Sequence, residues 1–129
     1  MTKAGALYEF WSCFGLNAYE ENSVPTGDDA PRLPYITYQI VSDSIGSDVP
    51  ATAIVWDIDR EGHSANKFLN AKVEEISKFI DIMAAPIKCD GGRVWIKKGV
   101  PFGQPYTDDS SGKVQGRLIN VTVEFLTAH

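Results

Sequence analysis

Strict alternation of apolar and polar side chains near the end of the chain is the feature that most constrains its fold. Apolar residues occupy every second position there: Ile119, Val121, Val123 and Phe125, separated by Asn120, Thr122 and Glu124. A period of two places the apolar side chains on one face of a β-strand and the polar ones on the other. The chain is therefore expected to contain a sheet with a buried face, which another element must cover.

Two earlier segments, residues 35–41 and 52–58, show the same alternation. In the second, Ile54, Trp56 and Ile58 form one face, opposite Ala53, Val55 and Asp57. Residues 42–50 contain glycine, serine and aspartate and predict a hairpin connection, so we expect the two strands to pair antiparallel. Residues 87–89 and 93–97 flank an Asp-Gly-Gly turn and predict a further short hairpin.

Helical spacing of large apolar residues occurs in two places. Leu7, Phe10, Trp11 and Phe14 follow the i, i+3, i+4, i+7 pattern, and Gly15 is placed to end that helix. A second, longer stripe is formed by Leu69, Val73, Ile76, Ile80 and Met83. Ser64 is the predicted N-cap of this helix, and Pro86 is expected to end it.

These elements predict an α+β fold, a mainly antiparallel sheet of about four to five strands with two helices packed on one face. The expected order is α-β-β-α-β-β-β. The 129 residues fit one domain, spanning 1–129. Residues 21–34 and 99–113 are rich in proline, glycine and aspartate, and we expect them to form exposed loops that are mobile in a monomer.

Charge and composition limit the classes of partner. The formal net charge of −5 and the pI near 4.9 argue against binding to nucleic acid or an anionic membrane through clustered lysine and arginine. Cys13 and Cys89 are far apart and suggest buried, reduced thiols rather than a disulfide framework. No segment has the length and apolarity of a signal peptide core or a membrane span, so we expect a soluble protein.

Residues 57–64 contain the strongest candidates for chemistry. His63 and Ser64 follow Asp57, Asp59 and Glu61, which suggests either a hydrolytic triad or a cation site with oxygen ligands. The alternative is an ordinary helix start with a surface histidine and a solvated strand end. Because neighbouring residues at such a junction point apart, we expect neither catalytic nor metal-binding nor cofactor-binding residues, and no enzymatic activity.

Three segments together resemble a known class of protein: YEFWSCFGLNAYEENSVPTGDDAPRLPYITYQIV (8–41), CDGGRVWIKKGVPFGQPYTDD (89–109) and LINVTVEFLTAH (118–129). They resemble small tail proteins of long-tailed phages and prophages of Gram-positive hosts. PYITYQIV and NVTVEFLT are the more specific pieces. The size and element order look like those of the tail-terminator, or tail-completion, proteins; head–tail connectors, stoppers and tail-tube subunits are the alternatives.

The resemblance implies a structural virion protein that forms a hexameric ring and docks onto the tail-tube and head-connector proteins. DNA would pass through the ring without specific binding, because inward-facing acids repel it. The protein would be assembled in the host bacterial cytoplasm and reside in the virion tail. Candidate interface residues come from the two breaker-rich loops and from an exposed strand position: Pro25, Asp28, Asp29, Trp95, Phe102, Tyr106, Asp108 and Asp109. The acids could equally be solvated loop charges, and the aromatic residues could be core.

Overall fold

The computed structural model describes residues 2–39, 48–82, 87–89, 92–107 and 113–127. Two helices and six strands follow one another in the order α1 (Lys3–Ser12), β1 (Asn17–Glu20), β2 (Tyr35–Tyr38), β3 (Asp48–Ile58), α2 (Ala65–Ile82), β4 (Ile87–Cys89), β5 (Gly92–Thr107) and β6 (Val114–Thr127). A short 3-10 turn, Gly27–Asp29, interrupts the connection between β1 and β2.

The six strands form one curled sheet with the spatial order β1-β2-β3-β6-β5-β4. β1 pairs with β2 in parallel, and all the other pairs are antiparallel. Helix α1 contacts both β1 and β4, which are the two edge strands. A single short helix can reach both edges because the sheet curls into a half-barrel.

The predicted fold class was wrong. The sheet has six strands rather than four or five, one of its strand pairs is parallel so that it is mixed, and three strands rather than two separate the helices. The missing strand is β1, which has only four residues. Its parallel pairing with β2 is a contact across an irregular crossover, and alternation in sequence gives no sign of such a contact.

The predicted loop over residues 99–113 was also wrong, since β5 continues to Thr107 and residues 108–112 lie outside the described part. Its prolines are tolerated because β4 pairs only with the first three residues of β5. Beyond Val94 no described strand pairs with this side of β5, and the register of β5 against β6 shifts between Lys98 and Gly103. Prolines are accommodated at edges and bulges, where the absent backbone donor faces no neighbour.

Both predicted helices are present with their apolar stripes buried. Leu7, Phe10, Trp11 and Phe14 are at most 3% exposed, and Leu69, Ile76 and Ile80 at most 8%. α1 begins at a cap in which Thr2 Oγ1 accepts from Gly5 N at 2.9 Å. Met83 and Pro86, expected at the end of α2, lie outside the described residues.

The predicted start of α2 is confirmed and strengthened by a second cap. Ser64 Oγ accepts from Lys67 N at 3.3 Å, and Asp59 Oδ1 accepts from Ala65 N at 2.8 Å. These side chains satisfy two of the amides that the first turn of a helix leaves without intrahelical partners. The loop after β3 therefore fixes where α2 begins.

One core lies between the inner face of the sheet and the two helices. On β3 the inner face is Ala53, Val55 and Asp57, each at most 1% exposed, whereas Ile54 and Trp56 lie on the outer face. The larger aliphatic and aromatic side chains of this strand thus point away from the helices. Gly116, paired with Trp56 across the β3–β6 ladder, leaves room for the indole ring on that side.

Candidate interaction surface

The outer face of the sheet carries aromatic side chains, and no helix of the described chain covers it. Trp56 and Tyr106 contact edge to face with ring centroids 5.4 Å apart, and Tyr19 and Tyr35 do so at 6.0 Å. Trp56 Nε1 donates to Thr37 Oγ1 at 2.9 Å. The indole is therefore held in one orientation by a hydrogen bond and by a ring contact.

The crossover from β1 to β2 forms a groove on this face, which we call the aromatic groove. Parallel strands cannot be joined by a tight turn, so residues 21–34 must run back along the sheet. The groove has a volume of about 500 Å³ and is lined by Glu21, Val24, Pro31, Leu33, Tyr35, Thr37, Ile54, Trp56 and Val114. Most of the lining residues are apolar, and Glu21 is the acidic residue among them.

The opposite corner of the outer face is positively charged, and we call it the cationic strip: Lys88, Arg93, Trp95 and Lys97. Lys88 and Arg93 stand directly opposite each other in the β4–β5 ladder, and both are exposed. Trp95 is 38% exposed, with Lys97 Nζ 5.4 Å from its ring centroid. Lys97 Nζ also lies 3.3 Å from Glu124 Oε1, so one acid partly offsets the three cations.

The structure separates the predicted interface residues into several groups. Trp95 belongs to the cationic strip, and Tyr106, 42% exposed, belongs to the aromatic cluster. Their partners on β6 are Glu124 and Gly116, so eight positions separate them along the sheet. Pro25 is half-buried in the crossover between β1 and β2.

The remaining predicted residues have three different outcomes. Asp28 and Asp29 are exposed in the 3-10 turn of the crossover. Phe102 is half-buried and packs against the core, beneath Lys98 Nζ at 6.0 Å from its centroid, so it is not on the outer face. Asp108 and Asp109 lie outside the described residues.

Sequence reasoning named the loop 21–34 as an interface candidate but did not single out the residues that build the groove, namely Trp56, Tyr35, Leu33 and Glu21. Alternation places Trp56 with Ile54 on one face of β3, opposite Ala53 and Val55. Because both faces carry apolar residues, alternation does not show which of them is buried. The available signal was the size of the side chains. Ala53 and Val55 are smaller than Ile54 and Trp56 and are the residues that fit beneath a helix.

The residues that suggested hydrolysis do not form a triad. Asp57 is fully buried, with His63 Nε2 at 2.6 Å from one carboxylate oxygen and Arg60 Nη1 at 3.2 Å from the other. Ser64 uses its hydroxyl to cap α2. His63 is therefore more than a surface histidine, because it covers a buried carboxylate, but nucleophile and base are not in contact.

The same hydrogen bonds occupy the carboxylates that suggested a cation site. Asp59 caps α2 with one oxygen and accepts from Gln115 Nε2 at 3.3 Å with the other. Within residues 2–39, 48–82, 87–89, 92–107 and 113–127, no three histidine, cysteine or acidic side chains are grouped so as to hold a metal ion. Asp57 and Asp59 instead connect the end of β3 to α2 and β6.

Both cysteines are free thiols, and Cys13 is exposed rather than buried as predicted. Partial burial of the sulfur raises the pKa of the Cys13 thiol, and the carboxylates of Glu75 and Glu9 act in the same direction. A raised pKa lowers the thiolate fraction at neutral pH and with it the reactivity of the group. Cys89 is half-buried at the β4 edge.

Neither described helix combines the length and apolarity needed to cross a membrane. Compared with known proteins, the chain matches no family model, no curated protein and no solved structure at a significant level.

Proposed function

We propose that this chain is a structural subunit of a long phage tail, the terminator that caps the tail tube at the end facing the head. It acts through contacts rather than catalysis. The proposal rests on the resemblance of residues 8–41, 89–109 and 118–129 to phage tail proteins. The structural observation that supports it best is the outer face of the sheet, where Tyr19, Tyr35, Trp56 and Tyr106 lie and no helix of the described residues covers them.

An aromatic face of this kind favours protein contacts, since large rigid side chains concentrate binding energy at interfaces. The groove and the strip provide two chemically different places on the same face. A terminator needs several such surfaces, because each copy must meet its neighbours in a ring, the tube below and the head connector above. Loops and edges positioned on a rigid sheet commonly serve such contacts.

A hydrolase is the alternative from a different class. The residues around His63 suggested this alternative. The hydrogen bonds of Asp57, Asp59 and Ser64 argue against it, because each of these side chains already binds another group of the fold. A connector, a stopper and a tube subunit share the proposed mode of action. They differ from a terminator in the defect that their loss causes.

Deletion of the gene from the phage or prophage that carries it tests the proposal. We expect DNA-filled heads and separate tails of irregular length, because a tube with no cap continues to add subunits. Adding purified protein to the two fractions should give joined particles, counted by electron microscopy. Ala71→Ser, a small change at an exposed position of α2, serves as a control for this addition and should join the particles as the wild type does.

Two other outcomes would contradict a terminator. Tails of normal length beside heads that have lost their DNA would indicate a head stopper, which retains the genome. Particles of normal form and normal infectivity after deletion would remove the chain from virion assembly altogether.

A further inference from the structure

The segment that lines one side of the aromatic groove is rich in acidic residues. Glu21 lines the groove, and the exposed Asp28 and Asp29 lie in the same crossover, between groove residues Val24 and Pro31. Arg32 is the cation of this segment. The volume of about 500 Å³ falls in the range of pockets that enclose a small molecule, so a large side chain fits. The groove is therefore suited to an apolar group flanked by positive charges.

The cationic strip has the complementary chemistry. Trp95 presents an exposed indole. Arg93 lies two residues before it and Lys97 two residues after it, on the same face of the strand. Lys88 stands directly opposite Arg93, and like charges at directly opposite positions of a ladder destabilise it. An acidic partner at this corner would remove that repulsion.

We infer that the cationic strip of one copy docks in the aromatic groove of a second copy. Trp95 enters the groove beside Trp56 and Tyr35, and the cations of the strip face Glu21, Asp28 and Asp29. The inference rests on the proposed function in that it names the contact between neighbouring copies in the ring. Self-association is favoured over other partners because both halves of the contact are present on one chain.

The curl of the sheet determines the geometry of this assembly. The groove lies over β2 and β3, whereas the strip lies on β4 and β5, at the other side of the sheet. Because α1 contacts both edge strands, the two sides turn toward each other and their outer surfaces face in different directions. One copy therefore meets two different neighbours. Such head-to-tail contacts close into a ring when the rotation between neighbours permits.

Sedimentation velocity of the full chain tests this contact. Arg93→Glu in the strip and Glu21→Lys in the groove should each weaken association at least about tenfold, since each places like charges across the interface. Arg93→Glu should not lower the melting temperature, because it places an acid opposite Lys88. Lys67→Glu, at an exposed position of α2, makes the same change of charge elsewhere and should associate as the wild type does.

Mixing the two variants gives a sharper result. Arg93→Glu retains an intact groove and Glu21→Lys retains an intact strip, and the two altered surfaces carry opposite charges. A mixture should therefore recover the association that each variant alone has lost, and should form alternating assemblies larger than a pair. The double variant, with both changes in one chain, should recover part of the association through the reversed charges. A twofold contact that used the same surface on both copies would instead stop at one-to-one pairs.

Three outcomes would overturn the inference. A ring that forms equally well with Arg93→Glu and Glu21→Lys rejects this contact and leaves the tail proposal standing. A wild-type chain that stays monomeric at all concentrations also rejects it, and gene deletion then decides the tail proposal separately. If Arg93→Glu instead abolishes binding of a labelled oligothymidylate without changing association, the strip serves a nucleic acid.

Discussion

The carboxylate of Asp57, which has no exposed surface, lies 2.6 Å from His63 Nε2. Its second oxygen is 3.2 Å from Arg60 Nη1. Arg60 and His63 also form an antiparallel bridge across the turn that contains Gly62, whose φ is +73°. The buried acid therefore holds together the tight turn between β3 and α2.

Asp57→Ala should lower the free energy of unfolding by about 1–3 kcal/mol, the usual effect of breaking buried hydrogen bonds to a charged group. The partners Arg60 and His63 are partly exposed, so solvent can hydrate them after the change and the effect stays moderate. Urea unfolding followed by circular dichroism measures it. Asp81→Ala, which removes a half-exposed partner of Lys98, is the control and should cost less than about 1 kcal/mol. If both substitutions lowered the free energy of unfolding by the same amount, the burial of Asp57 would make no difference to its contribution to stability.

Gly116 lies close to the side chains of Trp56 and Ile54. A Cβ added at Gly116 would lie 3.2 Å from Trp56 Cε3 and 3.1 Å from Ile54 Cγ2. Gly116→Ala should therefore destabilise the protein by about 1–3 kcal/mol, as overpacking does, and should shift the tryptophan fluorescence. In a Trp56→Leu background the same change should cost less, because the ring contact is gone. An undiminished cost in that background would place the clash elsewhere.

How far the sequence predicts this fold depends on whether the deciding contact is local. The stripes of α1 and α2 were predictable because each repeats within one helix, and the cap at Ser64 depends on residues that adjoin it. β1 was not, because Asn17–Glu20 is a strand only through its pairing with Tyr35–Tyr38 across the crossover. The second part of β5, residues 99–107, was mistaken for a loop, whereas residues 93–97 were predicted as a strand. Pro101 and Pro105 are tolerated at an edge, and an edge position is known only from the order of strands.

The candidate surface was partly predictable for the same reason. Exposure of Trp95 follows from alternation along its own strand, and it was predicted. The groove requires Leu33 and Glu21 of the crossover to lie over Trp56 of β3. That arrangement depends on the direction in which the crossover runs and on which face of β3 is buried. No local sequence pattern predicts either of these.

Tyr38 should make the protein less stable in alkali. It is 3% exposed, and burial, together with the carboxylate of Glu20, raises its pKa above the ordinary value of 10.0. The unfolded chain therefore loses this proton at lower pH than the folded one. The stabilisation is complete below pH 10.0 and declines as the pH rises from there through the folded pKa.

Tyr38→Phe removes this titration, so its free energy of unfolding should fall less steeply above about pH 10 than that of the wild type. Urea melts at several alkaline pH values give the two slopes. Tyr106→Phe, at a residue that is 42% exposed, is the control and should follow the wild type. Parallel slopes for the wild type and Tyr38→Phe would contradict the prediction.

Lys72 links the two helices. Its Nζ donates to the carbonyl oxygen of Phe14 at 2.8 Å, just beyond the end of α1, and to Glu75 Oε1 at 3.1 Å. Its side chain is only 13% exposed, whereas that of Lys78, which pairs with Glu74 on the same helix, is 70% exposed.

Lys72→Met keeps the length of the side chain and removes the charge. It should cost about 1–2 kcal/mol, because a charge-assisted hydrogen bond to a backbone carbonyl is lost. Lys78→Met, its matched control, should cost less than about 0.5 kcal/mol, as is usual for an exposed i, i+4 pair. Hydrogen exchange should also quicken in α1 of the Lys72 variant alone. If both variants were equally stable and exchanged alike, α1 would be held by its apolar stripe and not by this bond.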